Sequence, residues 1–313
     1  MTTPGKRPLI AIVGATGTGK TDVAIAVAET LNGEVVSADA YQVYRGMDIG
    51  TAKATPQQRR RVPHHVLDVV EPDDQLTLGR WLDMAHAALE SVWSRGSLPL
   101  LTGGSGQYVW ALLEGWQVPR VPPDSELRAE LDALAAAHGP EALLERLRAI
   151  DPDAAARIDP HNSRRIARAI EVVEREGRPL AACHARSPIE AESLVIGLRL
   201  ERDDLFRRLD SRTDAMYARG FVEEVRRLRA EGSVDAGPVR SGVGYREVSL
   251  HLDGAFDLTE AVRLHKLANH RLVRRQNAWF KPADPRITWV EAGPGAAALC
   301  LAAVRDWLAT LRK

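Results

Sequence analysis

Leu9-Ile10-Ala11-Ile12-Val13 is an unbroken apolar run of strand length with branched side chains, and it predicts a buried strand. A glycine-rich stretch follows, and from Asp22 to Leu31 the Ala/Val-rich pattern predicts a helix. A second apolar run, Glu34-Val35-Val36-Ser37, ends at Ala38-Asp39. A third, Leu98 to Thr102, stops at Gly103-Gly104 after a helical segment around Trp81 to Trp93. Strands that alternate with helices imply an α/β fold with a parallel, doubly wound sheet flanked by helices, and such sheets hold ligands at the carboxyl ends of their strands.

The texture changes near Trp116. Pro119, Pro122 and Pro123 read as a linker, and the residues beyond are rich in Ala, Leu, Arg and Glu with no convincing strand. Residues 117–193 are therefore expected to form a helical insertion domain, with 1–116 and 194–313 as the catalytic core. Leu194-Val195-Ile196-Gly197-Leu198 returns the chain to the sheet, and Ile287-Thr288-Trp289-Val290 reads as a late strand among long helices. No internal repeat or low-complexity tract interrupts the pattern.

Composition adds bounds. At 313 residues, with 45% apolar and 27% charged residues, the chain can bury an ordinary core. Lys plus Arg and Asp plus Glu each total 42, so any nucleic-acid partner must meet a local basic surface. Two cysteines, Cys183 and Cys300, argue against a disulfide framework or a four-ligand zinc site and fit a reducing cytoplasm. Lys6 and Arg7 precede the first apolar run, but Gly14 ends it far short of a signal peptide or membrane span. No membrane partner is expected, and a monomer is.

Gly14-Ala15-Thr16-Gly17-Thr18-Gly19-Lys20-Thr21 fits the pattern G-x-x-x-x-G-K-S/T, after a predicted strand and opening a helix. In that setting backbone N–H groups close around phosphate oxygens, Lys20 reaches the terminal phosphate, and the Thr21 hydroxyl suits Mg²⁺. The cradle accepts two linked phosphates without naming the molecule that carries them. Nucleotide motors add a strand-end Asp that helps hold Mg²⁺. Here the third strand ends in Thr102-Gly103-Gly104-Ser105, and Val66-Leu67-Asp68 has little strand before it, which argues against such a motor.

Asp39 stands at the end of the second strand, where a carboxylate can take a proton from an incoming nucleophile. A surface Asp that caps a turn is the plainer reading. A small-molecule kinase would use the same loop and Asp39 with ATP, and an RNA-binding nucleotide switch would use the loop alone. A prenyltransferase acting on free adenylates shares the fold and the loop. Basic helices beyond the needs of a small acceptor, and Asp39 without a magnesium-binding strand, weigh against the first two.

The chain closely resembles the tRNA dimethylallyltransferases of bacterial type, also called isopentenyl-diphosphate:tRNA transferases. The resemblance rests on the Gly14 to Thr21 loop, on Ser37 to Tyr44, and on Arg45 to Lys53. It extends through Pro63-His64-His65, Gly103 to Tyr108, Arg164 to Arg168, Gly244-Tyr245-Arg246-Glu247 and Arg274-Arg275-Gln276, in order along almost the whole chain. Ser105 stands where Thr is usual, and Gly17-Thr18 where Ala-Ser is common; a hydroxyl survives at both. The resemblance implies a P-loop NTPase-like parallel sheet and transfer of a dimethylallyl group from dimethylallyl diphosphate to N6 of the adenosine immediately 3′ of the anticodon, with Mg²⁺.

The same resemblance implies roles. Asp39 would act as base, since the adenine amine is a poor nucleophile. Lys20, the loop amides, Mg²⁺ through Thr21, and Arg212, with Arg208 second, would neutralise the leaving diphosphate. Ser105 would hydrogen-bond near the amine, and Ala40, Tyr41, Gln42, Val43 and Tyr44 would line the acceptor pocket.

A stacked anticodon base must be turned out to reach a closed pocket, so the backbone of the tRNA anticodon stem-loop has to be clamped. Arg164, Arg165 and Arg168 cluster on one predicted helix, and Arg271, Arg274 and Arg275 on another, followed by Lys281. By themselves these are ordinary solvated faces. The resemblance makes them candidate tRNA contacts and adds Arg128, Gly244, Tyr245, Arg246 and Gln276. Trp279 and Phe280 suit a buried helix face, and His64 and His65 local hydrogen bonds.

Overall fold

The apolar runs become β1 (Pro8–Gly14), β2 (Gly33–Ser37), β4 (Leu98–Gly103), β5 (Glu192–Arg199) and β6 (Ile287–Glu291), joined by a short β3 (His64–His65). All pair in parallel in one sheet of order β3-β2-β4-β1-β5-β6. This computed structural model describes residues 7–122, 124–183, 186–232 and 237–311. Lys6 and Pro123, used above for the N-terminus and the linker, lie outside the described residues. The sequence does not announce β3, because two residues carry no periodicity. Its place is visible only in its pairing with Val35 and Val36.

β1 and β4 are buried along their length save for Pro8, as strands in a sheet covered on both faces must be. Against one face pack helices Lys20–Leu31 and Ala296–Leu311, whose Val23, Ala24, Val27, Cys300 and Val304 meet Ile10, Ile12, Leu100 and Ile196. Truncating a buried Ile or Leu in such a cluster costs about 2–5 kcal/mol.

The sheet sets the site through register. Val13 lies opposite Gly103, and Ser37 opposite Thr102, so the carboxyl ends of β2, β4 and β1 stand side by side. From that edge leave Asp39, Ser105 and the glycine-rich loop. The approach is close: a Cβ on Gly103 would sit 2.0 Å from the Ala38 carbonyl oxygen.

The chain divides into two compact units, Met1–Leu113 with Glu190–Lys313, and Glu114–Ile189. The second starts three residues before the 117 read from the prolines and ends four before 193, since β5 already begins at Glu192. It is built on helices Ser125–His138, Pro140–Ile150, Pro152–Arg157 and Ser163–Glu176, around its own core of Leu131, Leu143, Leu147, Ile166 and Ile170. The Ser187 amide donates to the Gly115 carbonyl at 2.8 Å, so the unit's entry and exit lie together.

Candidate active site

The loop between β1 and helix Lys20–Leu31 closes on itself. Ala15 carbonyl oxygen accepts from Thr18 Oγ1 at 2.9 Å and from Lys20 Nζ at 2.8 Å. Gly17 and Gly19 both have φ 88°, in the left-handed region that favours glycine, and a Cβ on Gly17 would lie 2.9 Å from Leu209. Among the described residues the amides of Gly17, Gly19, Lys20 and Thr21 have no acceptor, the last three because they open the helix and the first because it lies in the loop before it. They form a ready site for anionic oxygens.

Two distant helices hold this loop. Gln276, on helix Leu258–Trp279, accepts from the Thr16 amide at 2.7 Å. Arg212, on helix Arg202–Ala218, donates from Nη2 to Thr16 Oγ1 at 2.9 Å, while its buried Nε has no partner. Burial lowers the Lys20 ammonium to about 8; the negative charge of Asp39 opposes the shift and Arg212 adds to it. Burial likewise brings Arg212 to about 10, with Arg208 adding and Asp39 opposing. Arg208 reaches the same loop, its Nη2 3.5 Å from where a Gly19 Cβ would stand. Cations driven into a half-buried space gain most from an anion that joins them.

Across the strand ends, Asp39 Oδ1 accepts from the amides of Tyr41 at 2.9 Å and Gln42 at 3.1 Å. The turn-capping reading is therefore realised, but by one oxygen only. Oδ2 makes no hydrogen bond among the described residues and remains open to a substrate. Ser105 Oγ accepts from the Ala40 amide at 3.1 Å, tying the end of β4 to the loop after β2. Thr21, half-buried behind Lys20, has a hydroxyl with no partner among the described residues, as a metal ligand requires. Among the described residues no group of three or more His, Cys, Asp or Glu could hold a metal, and Asp68 is engaged by Lys53 and Arg59.

A phosphate cradle facing a strand-end carboxylate narrows the chemistry, and comparison with known proteins narrows it further. The family model described as IPP transferase matches residues 42–283, and one described as Isopentenyl transferase matches residues 8–68. The chain belongs to the IPP transferase family. It is 45% identical over 301 residues to the tRNA dimethylallyltransferase of Roseiflexus sp. (strain RS-1), covering 96% of this chain and 99% of that protein. It is also 45% identical to that of Thermomicrobium roseum, over 88% and 84% of the two. Among solved structures, the tRNA isopentenylpyrophosphate transferase of Bacillus halodurans superposes with TM-score 0.71 at 36% identity, covering 98% of this chain and 97% of that one. A eukaryotic dimethylallyltransferase acting on tRNA gives TM-score 0.80 at 25% identity, over 97% and 80%. Like the family, this chain is a prenyltransferase with a P-loop NTPase-like fold.

For this IPP transferase the expected RNA contacts divide. Arg164 and Arg165 are exposed on helix Ser163–Glu176, and Arg271, Arg274, Arg275 and Lys281 are exposed on and just beyond helix Leu258–Trp279. Arg246 is exposed as well. Arg128 and Arg168 instead spend much of their charge on buried Glu171, at 2.6 and 3.2 Å. Five expected residues are corrected. Tyr245 is 1% exposed and donates to Glu224, so it does not approach RNA. Gln276 is 8% exposed and serves the glycine-rich loop, and Gly244 is buried against His265. Val43 and Tyr44 are buried in the core, leaving Asp39, Ala40, Tyr41 and Gln42 half-exposed at the acceptor side.

Of the paired aromatics, Phe280 is buried and Trp279 is 41% exposed. His64 and His65 meet the Val62 carbonyl and Glu34, as local hydrogen bonding predicts. The sequence reading missed Glu224, His265 and Asn269, all buried. Asn269 donates to Thr213 at 3.1 Å across the two loop-holding helices. His265, brought to about 4 by burial and by Arg212, stands neutral between them. A polar residue in the apolar register of an amphipathic helix was the available signal.

Proposed function

We infer that this enzyme transfers a dimethylallyl group from dimethylallyl diphosphate to N6 of the adenosine immediately 3′ of the anticodon in tRNA, releasing diphosphate. The observation that carries the reading is that Asp39, with an unengaged Oδ2, and Arg212 both act electrostatically on Lys20. Base and leaving-group cradle thus face one small space. In the reaction the bond from N6 to the allylic carbon forms, the bond from that carbon to the diphosphate oxygen breaks, and the N6 proton passes to Asp39 Oδ2. Lys20, Arg212, Arg208 and the amides of Gly17, Gly19, Lys20 and Thr21 receive the diphosphate charge, which develops as the bond breaks and is best met by fixed donors. Ser105 keeps Ala40 and Asp39 in place beside the amine.

Mg²⁺, held by Thr21 and substrate oxygens, would further neutralise the diphosphate, consistent with an ion that needs few protein ligands. The exposed arginines 164, 165, 271, 274 and 275, with Arg246 and Lys281, are proposed to hold tRNA phosphates, and Tyr41 and Gln42 to border the flipped base. The helical unit Glu114–Ile189 is proposed as the tRNA-contacting insertion. No helix among the described residues is long and apolar enough to cross a membrane, and both cysteines are free and buried. A monomer working in the cytoplasm, where tRNA resides, is the setting we assign.

Single-turnover reactions with labelled dimethylallyl diphosphate and saturating tRNA, run beside reactions with labelled ATP, test the reading. Label passing from the prenyl donor to tRNA is expected. Phosphate transfer from ATP without prenyl transfer overturns it.

A further inference from the structure

Glu224, on helix Phe221–Ala230, is 8% exposed, and no cation is hydrogen-bonded or ion-paired to it among the described residues. Its carboxylate is satisfied by donors instead. Oε2 accepts from the amides of Asp48 at 3.1 Å and Ile49 at 2.7 Å, and Oε1 from the Gly50 amide at 3.2 Å and the Tyr245 hydroxyl at 2.6 Å. Three consecutive amides converging on one group make a concave anion site, and only an acceptor with four lone-pair positions fills it. Burial and the adjacent Glu224 raise the Tyr245 phenol well above its ordinary range, so it stays a donor.

The turn held in this way leads to the acceptor side. Thr51, next in the chain, accepts at its carbonyl from Gln42 Nε2 at 3.2 Å, and the Gln42 amide is one of the two bound to Asp39 Oδ1. Gly50 packs closely against the same helices, since a Cβ there would sit 2.3 Å from Phe221 and 2.5 Å from Tyr245. From the other side buried Lys53 grips Tyr44 carbonyl at 2.6 Å, Asp48 at 2.8 Å and Asp68. None of these contacts touches the glycine-rich loop, which Gln276 and Arg212 hold separately.

We propose that Glu224 is a positioning residue that fixes the 48–51 turn, and through Thr51 and Gln42 the loop bearing Asp39, so that it governs use of the nucleic-acid acceptor and not of the diphosphate donor. The inference rests on the function proposed above. A Glu224→Gln side chain must turn an NH₂ toward a donor, which breaks at least one bond of the set.

Steady-state kinetics with tRNA and dimethylallyl diphosphate varied in turn, on wild type and E224Q, test it. The expected result is a KM for tRNA raised about tenfold, the scale of one lost hydrogen bond to a charged group, with the KM for dimethylallyl diphosphate unchanged. Equal losses on both substrates, or none on tRNA, overturn it. Tyr245→Phe keeps the ring beside Gly50 and removes one donor; it should raise the tRNA KM alone by about threefold, and it carries the test should E224Q not fold. An inactive wild type removes the proposed function and this inference with it. An active wild type whose variants keep their tRNA KM removes only the role of Glu224.

Discussion

Because Asp39 Oδ1 already accepts from the Tyr41 and Gln42 amides, an Asp39→Asn side chain can keep both bonds through its oxygen and lose only the basic Oδ2. The variant should fold, bind tRNA and lose about 10²- to 10⁴-fold in the chemical step, the range for a positioned base. Single-turnover rates at saturating substrates measure this, and an unimpaired rate removes the general-base role. Lys20 gives a second test at the same scale. Its ammonium is lowered from 10.5 to about 8, so in the empty enzyme it is largely neutral at pH 9. A bound diphosphate favours the charged form, and binding should draw in a proton above pH 8 and less of one below it. Calorimetry of dimethylallyl diphosphate binding at pH 9 in buffers of different ionisation enthalpy should show this uptake in wild type and not in Lys20→Met. Equal uptake in both proteins would place the proton elsewhere.

Helix Leu258–Trp279 joins the two sides of the site. Ala261, His265, Asn269, Val273 and Gln276 lie buried at spacings of three and four, which puts Arg271, Arg274 and Arg275 outside. Arg275→Ala should weaken tRNA binding and flatten its salt dependence by about one unit of log–log slope, the signature of one lost phosphate contact. Titrations from low to moderate salt read that slope, and an unchanged slope with unchanged affinity takes Arg275 out of the interface. The element also marks the boundary of what the sequence reveals. The Gly14 to Thr21 loop is legible because its chemistry is local: glycines, Lys20 and Thr21 are set by spacing within one turn. The long main strands are legible because burial on both faces leaves continuous apolar runs. Gln276 meets Thr16 across 260 positions and Glu224 meets Asp48 across 176, and no local pattern records such pairings. Tyr245 was misplaced for the same reason, since a tyrosine beside glycines reads as exposed until Glu224 and Phe221 are seen around it.

At the scale of the molecule, the helical unit Glu114–Ile189 has its own core and an entry and exit joined by the Ser187 to Gly115 hydrogen bond. Replacing residues 115–187 with a short Gly-Ser link should leave a folded core that binds dimethylallyl diphosphate with little change and loses tRNA affinity. Normal prenylation by the shortened protein would remove the insertion from tRNA recognition. The central claim is the reaction itself, and nucleoside mass spectrometry of tRNA incubated with the enzyme, dimethylallyl diphosphate and Mg²⁺ tests it most directly. The account expects N6-dimethylallyl adenosine, confined to the position immediately 3′ of the anticodon and formed about 10²- to 10⁴-fold more slowly when Asp39 is replaced by Asn. Unmodified tRNA recovered from active, diphosphate-binding enzyme, or a prenyl group on free adenylate alone, would contradict it.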